Sequence, residues 1–195
     1  QIDLNYNPLD ERKWSDEISD ALNARLIAGI NVELFDNLEF DGTYSYITGA
    51  NKVTTHTSPE SYIVRSELAQ FTVADAPGDT PIYYLPKDGG RYVEGNLVQK
   101  NYTVRNQLSY DKSWNEGQHQ LYAILGQEAQ EQLTESSTST IRGYDSLLLT
   151  SLPLDYATLM NEGIDNTVMP NSGTRSILEN NYFSKSEVLS RFTSY

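Results

Sequence analysis

The residue types that most often carry out catalysis are sparse in this chain, and they are not arranged as catalytic motifs. The 195 residues include two histidines and no cysteine. The lack of cysteine excludes a cysteine nucleophile, thiolate metal sites and disulfide bonds. His56 and His119 lie far apart, and no metalloprotease, hydrolase, P-loop or dinucleotide-binding motif is present. We therefore expect no enzyme activity, no catalytic residue, no metal site and no cofactor.

Acidic side chains in two irregular stretches are the one group that could hold a hard cation such as calcium, which prefers several converging oxygens. They are Asp75, Asp79 and Asp88 in the first stretch and Asp155, Glu162 and Asp165 in the second. Neither stretch has the spacing of a calcium-binding loop. The pattern favours a solvated acidic surface and leaves calcium binding open.

Tyrosines are the better candidates for contact with another molecule. The chain has 14 Tyr against five Phe and two Trp, and Tyr offers a large contact area at low entropic cost. In the first irregular stretch, Tyr83, Tyr84, Asp88 and Tyr92 are candidate contacts to a ligand or a partner protein. The alternative is that these rings only order their own loop.

Charge and hydropathy exclude two further classes of protein. With 27 acidic and 14 basic residues, the formal net charge is −13, which argues against a nucleic-acid partner because phosphate binding needs a basic face. No apolar stretch approaches the ~20 residues of a membrane helix. An outer-membrane β-barrel remains possible, since its strands need only alternate.

Long β-strands are the elements that must position these side chains. From Leu22 to Leu34 every even-numbered residue is apolar, and most odd-numbered residues are polar, which is a strong period-2 signal. Twelve steps of ~3.3 Å, tilted by ~45°, rise about 28 Å, close to the ~25 Å apolar band of an outer-membrane barrel. Asp36 and Asn37 then form a candidate two-residue hairpin turn.

The same alternation recurs along the chain and predicts five strands. They lie near residues 21–35, 38–53, 99–113, 119–134 and 187–195, and the long loops are 54–98 and 135–186. Residues 120–133 also suit a helix, because they are rich in good helix formers, and this alternative stays open. Residues 15–28 could likewise form a helical stripe, but the strict alternation after Leu22 argues against it.

The alternation of short turns with long loops is typical of outer-membrane barrels, with short periplasmic turns and long extracellular loops. The predicted fold class is therefore all-β, with about five strands of a transmembrane antiparallel β-barrel; the resemblance described next implies that the barrel is large. Residues 1–195 are expected to form one partial β-barrel domain.

Three stretches resemble the SusC/RagA-like TonB-linked outer-membrane proteins. They are the run from Asn7-Pro8-Leu9 through Leu22–Phe35, the block His119–Glu128, and Asn181–Ser184 leading into Ser190–Tyr195. The resemblance implies an internal piece of a barrel of roughly 22 strands in the cell outer membrane, in contact with outer-membrane lipid. It also implies energy-coupled import of glycans or peptides. The implied partners are a SusD-like surface lipoprotein, and TonB acting through a plug region outside this chain.

A function of a different class is a soluble, secreted all-β module that binds polysaccharide through exposed tyrosines. The apolar face of the strands distinguishes the two hypotheses. A lipid-facing strand carries no charge on one face for about seven alternations, whereas a soluble sandwich would interrupt that face with Lys or Glu near each end.

The two faces of the first strand give a direct prediction. We expect Leu26→Arg and Ile30→Arg each to lower the free energy of unfolding by about 2–4 kcal/mol, because both side chains would project at the lipid midplane. Asn31→Arg should cost far less, because Asn31 faces the polar side. Denaturant titration in lipid or detergent measures these differences, and equal costs at Ile30 and Asn31 would contradict a membrane-embedded strand.

Overall fold

The computed structural model describes residues 2–74, 76, 78, 80–179 and 182–195. Strands make up 62% of the structure, and its antiparallel sheets and open main sheet confirm the all-β prediction. In the described part of the chain, no helix has the length and apolar character needed to cross a bilayer. Asp75 and Asp79 of the first acidic stretch lie outside the described residues, as does Asn181 of the closing stretch.

The chain consists of five long strands and several short elements. In order, these are α1 (Pro8–Glu11), β1 (Ser15–Phe35), β2 (Leu38–Thr57), α2 (Tyr62–Gln70), β3 (Thr72–Val73), β4 (Ile82–Tyr83), β5 (Gly90–Trp114), β6 (His119–Asp145), β7 (Thr150–Ser151), a π-helical turn (Thr158–Glu162), β8 (Ile164–Asp165), β9 (Arg175–Ser176) and β10 (Phe183–Ser194). The main sheet has the order β1-β2-β5-β6-β10, and β7 adds to the end of β6.

Each long strand extends further towards the long loops than the sequence pattern indicates. β5 begins at Gly90 rather than near residue 99, and β6 continues to Asp145 rather than ending near 134. The extension of β6 includes the run Ser136–Thr140, which is polar on both faces. Such a run pairs through its backbone without an apolar alternation, so a period-2 search misses it.

Both helical alternatives are wrong. Residues 120–133 lie within β6, and residues 15–28 lie within β1. In β6 the Ala, Gln, Glu and Leu residues favour a helix by intrinsic propensity. Pairing with β5 and β10 overrides that preference.

Contacts between residues divide the chain into two compact units. The strand unit comprises Ala21–Asn51, Asn96–Ser136 and Lys185–Tyr195. The loop unit comprises Gln1–Asp20, Lys52–Gly95 and Ser137–Ser184. A single partial-barrel domain over residues 1–195 stays a prediction.

In the strand unit, both short turns form where the sequence predicts them. Asp36 and Asn37 are the only residues between β1 and β2, and Asn37 has a φ of 71°, which Asn tolerates better than most residues. Between β5 and β6, Asn115, Glu116 and Gly117 all have positive φ. The two turns fix which strands become antiparallel neighbours.

The loop unit has a small apolar core of its own, which corrects the expectation of two irregular loops. The core consists of Phe71, Leu85, Leu159, Ile164 and Leu178. Around it, β3 pairs with β4 and β8 pairs with β9. These elements are too short to give a periodic sequence signal.

Helix α2 begins at a cap that the sequence analysis did not identify. The Ser61 hydroxyl accepts a hydrogen bond from the backbone N–H of Ile63 at 3.3 Å and donates to Glu11 Oε2 at 2.8 Å. The N–H of Tyr62 donates to the other oxygen of Glu11 at 2.8 Å. A carboxylate at the helix start is favourable because it satisfies free N–H groups and complements the helix dipole.

Two glycines of the loop unit allow a test of how closely it is packed. Gly143 and Gly173 have the same φ of 67°, but a Cβ on Gly143 would lie 2.6 Å from Pro86 side-chain atoms, whereas one on Gly173 would meet nothing within 4 Å. We expect Gly173→Ala to lower the free energy of unfolding by about 1 kcal/mol, through backbone strain alone. Gly143→Ala should cost about 1–3 kcal/mol more, because of overpacking. Thermal unfolding followed by near-UV circular dichroism measures both, and equal losses would contradict the close contact with Pro86.

Candidate functional site

An exposed apolar surface is the most extensive feature of the strand unit. On β1, Leu22, Leu26 and Ile30 are 66%, 70% and 49% exposed, and Leu125 of β6 is 70% exposed. Other large apolar side chains of the unit that are at least 36% exposed include Val32, Leu34, Val104 and Leu121. Ile27 and Phe35 are also exposed, but their odd-numbered positions place them on the opposite face of β1. Soluble monomers rarely expose contiguous apolar areas of this kind, so the surface marks a contact with lipid or protein.

The polar residues of the same strands lie together on another face. Asn31 Nδ2 donates hydrogen bonds to Glu39 and to Asp41 Oδ1, the latter at 2.7 Å. These contacts confirm that the odd-numbered positions of β1 and β2 share a face. A polar depression of about 630 Å³ follows it, and Gln107, Asp111 and Tyr122 contribute to its lining.

One polar side chain interrupts the apolar alternation of β5 and has a specific partner. Asn106 lies between Val104 and Leu108 at two-residue spacing, where an apolar residue is expected. Its Oδ1 accepts a hydrogen bond from the Tyr44 hydroxyl at 2.9 Å. Because both polar groups are satisfied, the cost of placing them in apolar surroundings is lower than for an unpaired amide.

The four candidate contact residues all belong to the loop unit, but they do not form one cluster. Tyr83 ends β4 and lines a largely apolar cavity of about 600 Å³. Tyr84 follows it, is 40% exposed, and donates its backbone N–H to Phe71 at 3.0 Å. Asp88 is exposed in the bend before β5. Their roles as ligand or partner contacts stay predictions.

Tyr92 was expected in a loop and lies instead in β5, because the strand begins earlier than its alternation. Its hydroxyl donates to Glu94 Oε2 at 3.1 Å, and its ring centroid lies 4.8 Å from that of Tyr144. Tyr144 in turn is 5.8 Å from the ring of His56. Burial, and then the hydrogen bond to Glu94, raise the pKa of the Tyr92 hydroxyl. The Tyr92 hydroxyl therefore keeps its proton to a higher pH than an ordinary tyrosine does.

Two of the three acidic residues of the second stretch, Asp155 and Asp165, are bound by protein groups. The Asp155 carboxylate accepts hydrogen bonds from the hydroxyl and the N–H of Thr158 at 2.7 and 3.1 Å. These two bonds lower the pKa of Asp155. Asp165 pairs with Arg175 at 3.2 Å. Within the described ranges, no group of three or more His, Cys, Asp or Glu side chains is placed to hold a metal ion.

Three consecutive leucines form an exposed apolar tip that the sequence analysis missed. Leu147, Leu148 and Leu149 are 92%, 71% and 74% exposed between β6 and β7, and we call them the leucine tip. Asp145 Oδ1 accepts the N–H groups of Leu147 and Leu148 at 2.8 and 3.0 Å, which fixes the turn. A run of three apolar residues in a polar stretch was the available signal, because such a run is unfavourable on a surface unless it has a function.

Comparison with known proteins finds a solved structure with a similar fold. No protein-family model matches the chain, and no curated protein matches it. A solved structure of the RagAB peptide transporter has a similar fold, with a TM-score of 0.55 and 13% sequence identity over 93% of this chain. The match spans 15% of the length of that protein. At this identity the likeness concerns the fold alone.

Proposed function

We propose that this chain forms part of the wall and the loops of a TonB-dependent outer-membrane importer. The observation that carries the proposal is the division of the strand unit into an exposed apolar surface and a polar face lined by Asn31, Glu39 and Asp41. Lipid would cover the apolar side chains, and the polar face would line the interior of the barrel. The likeness to the RagAB transporter supports the same assignment.

The open sheet is consistent with this proposal. β1 and β10 are the end strands of the main sheet in the described structure. In a bilayer, backbone N–H and C=O groups must find partners within the protein, so a membrane-spanning sheet has to close on itself. Further strands would therefore pair with β1 and β10 to complete the barrel. In this arrangement the short turn at Asp36-Asn37 would face the periplasm, and the long links at residues 54–98 and 135–186 would face the outside.

Import requires binding and passage rather than bond chemistry, so the side chains that matter are those that contact the cargo. Tyr83, Tyr84, Asp88 and Tyr92 would contribute aromatic and acidic surface near the entrance. The solved structure with a similar fold is that of a peptide transporter, and we therefore favour peptides over glycans as cargo. TonB would supply energy through a plug region.

A surface lipoprotein is the proposed partner of the loop unit, and the leucine tip is its proposed contact. Leu147 is 92% exposed on a turn held by Asp145. A fixed apolar knob of this kind suits burial in a pocket of a second protein, where a few large side chains carry most of the binding energy.

Cell fractionation tests the membrane assignment. We expect the protein in the outer-membrane fraction, extracted only with detergent, because the exposed apolar surface needs lipid or detergent around it. Carbonate washing, which removes peripheral proteins, should leave it in the membrane. Recovery of a folded monomer from the aqueous fraction would contradict the proposal and favour the soluble polysaccharide-binding module.

Substitution of the leucine tip tests the partner. We expect Leu147→Ser combined with Leu148→Ser to reduce co-purification of the lipoprotein at least about tenfold, since interface anchors typically contribute 2 kcal/mol or more. The matched control is Leu9→Ser with Ile63→Ser, which changes two exposed apolar residues of the same unit. Undiminished co-purification of the tip variant, measured by quantitative pull-down from detergent extracts, would remove the tip from the interface.

A further inference from the structure

Two arginines of the loop unit, Arg65 and Arg91, have a buried Nε that makes no hydrogen bond among the described residues. Arg65 nevertheless lies near the carboxylates of Asp3 and Glu11, at 3.8 and 3.9 Å. Arg91 is the second residue of β5, and its Nε is buried and makes no hydrogen bond. Arg91 takes part in none of the ion pairs found among the described residues. A buried donor without a partner is costly, and it needs an explanation in terms of strain, function or an ordered water or ion.

A second arginine, Arg142, forms an ion pair with Glu67, which lines the same cavity as Arg91. Arg142, only 4% exposed, donates from Nε and Nη2 to the two oxygens of Glu67 at 3.0 and 2.8 Å. This bidentate pair neutralises Glu67. Glu67 and Arg91 line the same cavity. The positive charge of Arg91 is therefore not offset by Glu67.

The cavity beside Arg91 has a volume of about 350 Å³, which lies at the lower end of the range for small-ligand sites. Its apolar wall includes Ile63, which is 50% exposed, the half-buried Ile177, and the core residues Phe71 and Leu178. Its polar lining includes Gln70, whose Oε1 accepts a hydrogen bond from Asn171 Nδ2 at 3.3 Å. The amide NH₂ of Gln70 therefore remains as a second donor.

We propose that this cavity binds the C-terminal carboxylate of a short peptide whose last side chain is apolar. The guanidinium of Arg91 pairs with the carboxylate, since its planar fork matches carboxylate geometry. The Gln70 amide donates to the same group, and the apolar wall receives the terminal side chain. Capture of a peptide end by converging donors is a known mode of peptide recognition.

The charge of the cavity selects a monoanion over a phosphate. Glu179 also lines the cavity, is exposed and forms no ion pair found among the described residues. One uncompensated arginine and one rim carboxylate suit a ligand with a single negative charge, whereas a dianionic phosphate would be repelled by Glu179. The proposal concerns binding by the loop unit and does not depend on transport.

Titration calorimetry of the full chain in detergent micelles tests the proposal with three peptides. Ac-Ala-Ala-Leu with a free C-terminus should bind about tenfold to a hundredfold more tightly than its C-terminal amide, because a charge-assisted pair is lost in the amide. Ac-Ala-Glu-Leu-amide carries only a side-chain carboxylate. Binding of that peptide as tight as the free acid would overturn the assignment to a peptide terminus.

Variants separate the role of Arg91 from a loss of folding. Arg91→Gln should abolish the preference for the free acid, and Arg91→Lys should keep part of it, because the charge remains without the fork. The control Arg12→Gln alters an exposed arginine of the same unit and should leave the preference unchanged. Equal affinity of acid and amide for the native chain, or an unchanged preference in a folded Arg91→Gln variant, would overturn the proposal.

A substitution at the rim that strengthens binding of the free acid would be evidence that misfolding cannot mimic. Glu179→Gln removes the rim carboxylate and should strengthen binding of the free acid severalfold while leaving the amide unchanged. Weaker or unaltered binding of the free acid would contradict the proposed position of the carboxylate. Loss of peptide uptake in cells with the acid preference intact would count only against the importer assignment.

Discussion

The structure depends on one constraint: the backbone groups of five long strands must be paired along their whole length while the two faces of the sheet meet different surroundings. Strict two-residue alternation in β1 meets this constraint, since it places Leu22, Leu26 and Ile30 on one face and Asn31 on the other. A shift of register by one residue would exchange the faces completely. The short turn at Asn37 and the Asn31–Asp41 hydrogen bond both hold the register of the first hairpin.

A different set of interactions orders the loop unit, where alternation gives no guidance. The N-terminal segment is attached to α2 through Glu11, which accepts hydrogen bonds from Ser61 and Tyr62. Arg65 adds hydrogen bonds to the backbone carbonyls of Asp3 and Asn5, and its guanidinium lies 5.8 Å from the centre of the Trp14 ring. These contacts join residues more than 45 positions apart in the chain, so the unit depends on long-range polar anchoring as well as its five-residue core.

The difference between the strand unit and the loop unit explains which parts of the fold can be predicted from the sequence. Five strands, both turns and the polar face around Asn31 could be predicted, because each leaves a local periodic or turn signal. The early start of β5 could not, since its first residues pair through the backbone without alternating, and Tyr92 was therefore placed in a loop. The unpartnered Nε of Arg91 cannot be predicted from the sequence, because it depends on which distant residues lie near it in the fold.

The environment of Arg91 differs from that of other basic residues in this acidic chain. Among 195 residues, 27 are acidic and only 14 basic, so an average cation has an excess of carboxylates to pair with. Lys52, Arg142, Arg175 and Arg191 all have acidic partners within 3.2 Å. Arg105 and Lys112 also form none of the ion pairs found among the described residues. What distinguishes Arg91 is its place in a cavity where the carboxylate of Glu67 is already held by a second arginine. The Arg142–Glu67 pair fixes the only lining carboxylate that is largely buried, and this keeps the Arg91 side of the cavity electropositive in a protein whose net charge is −13.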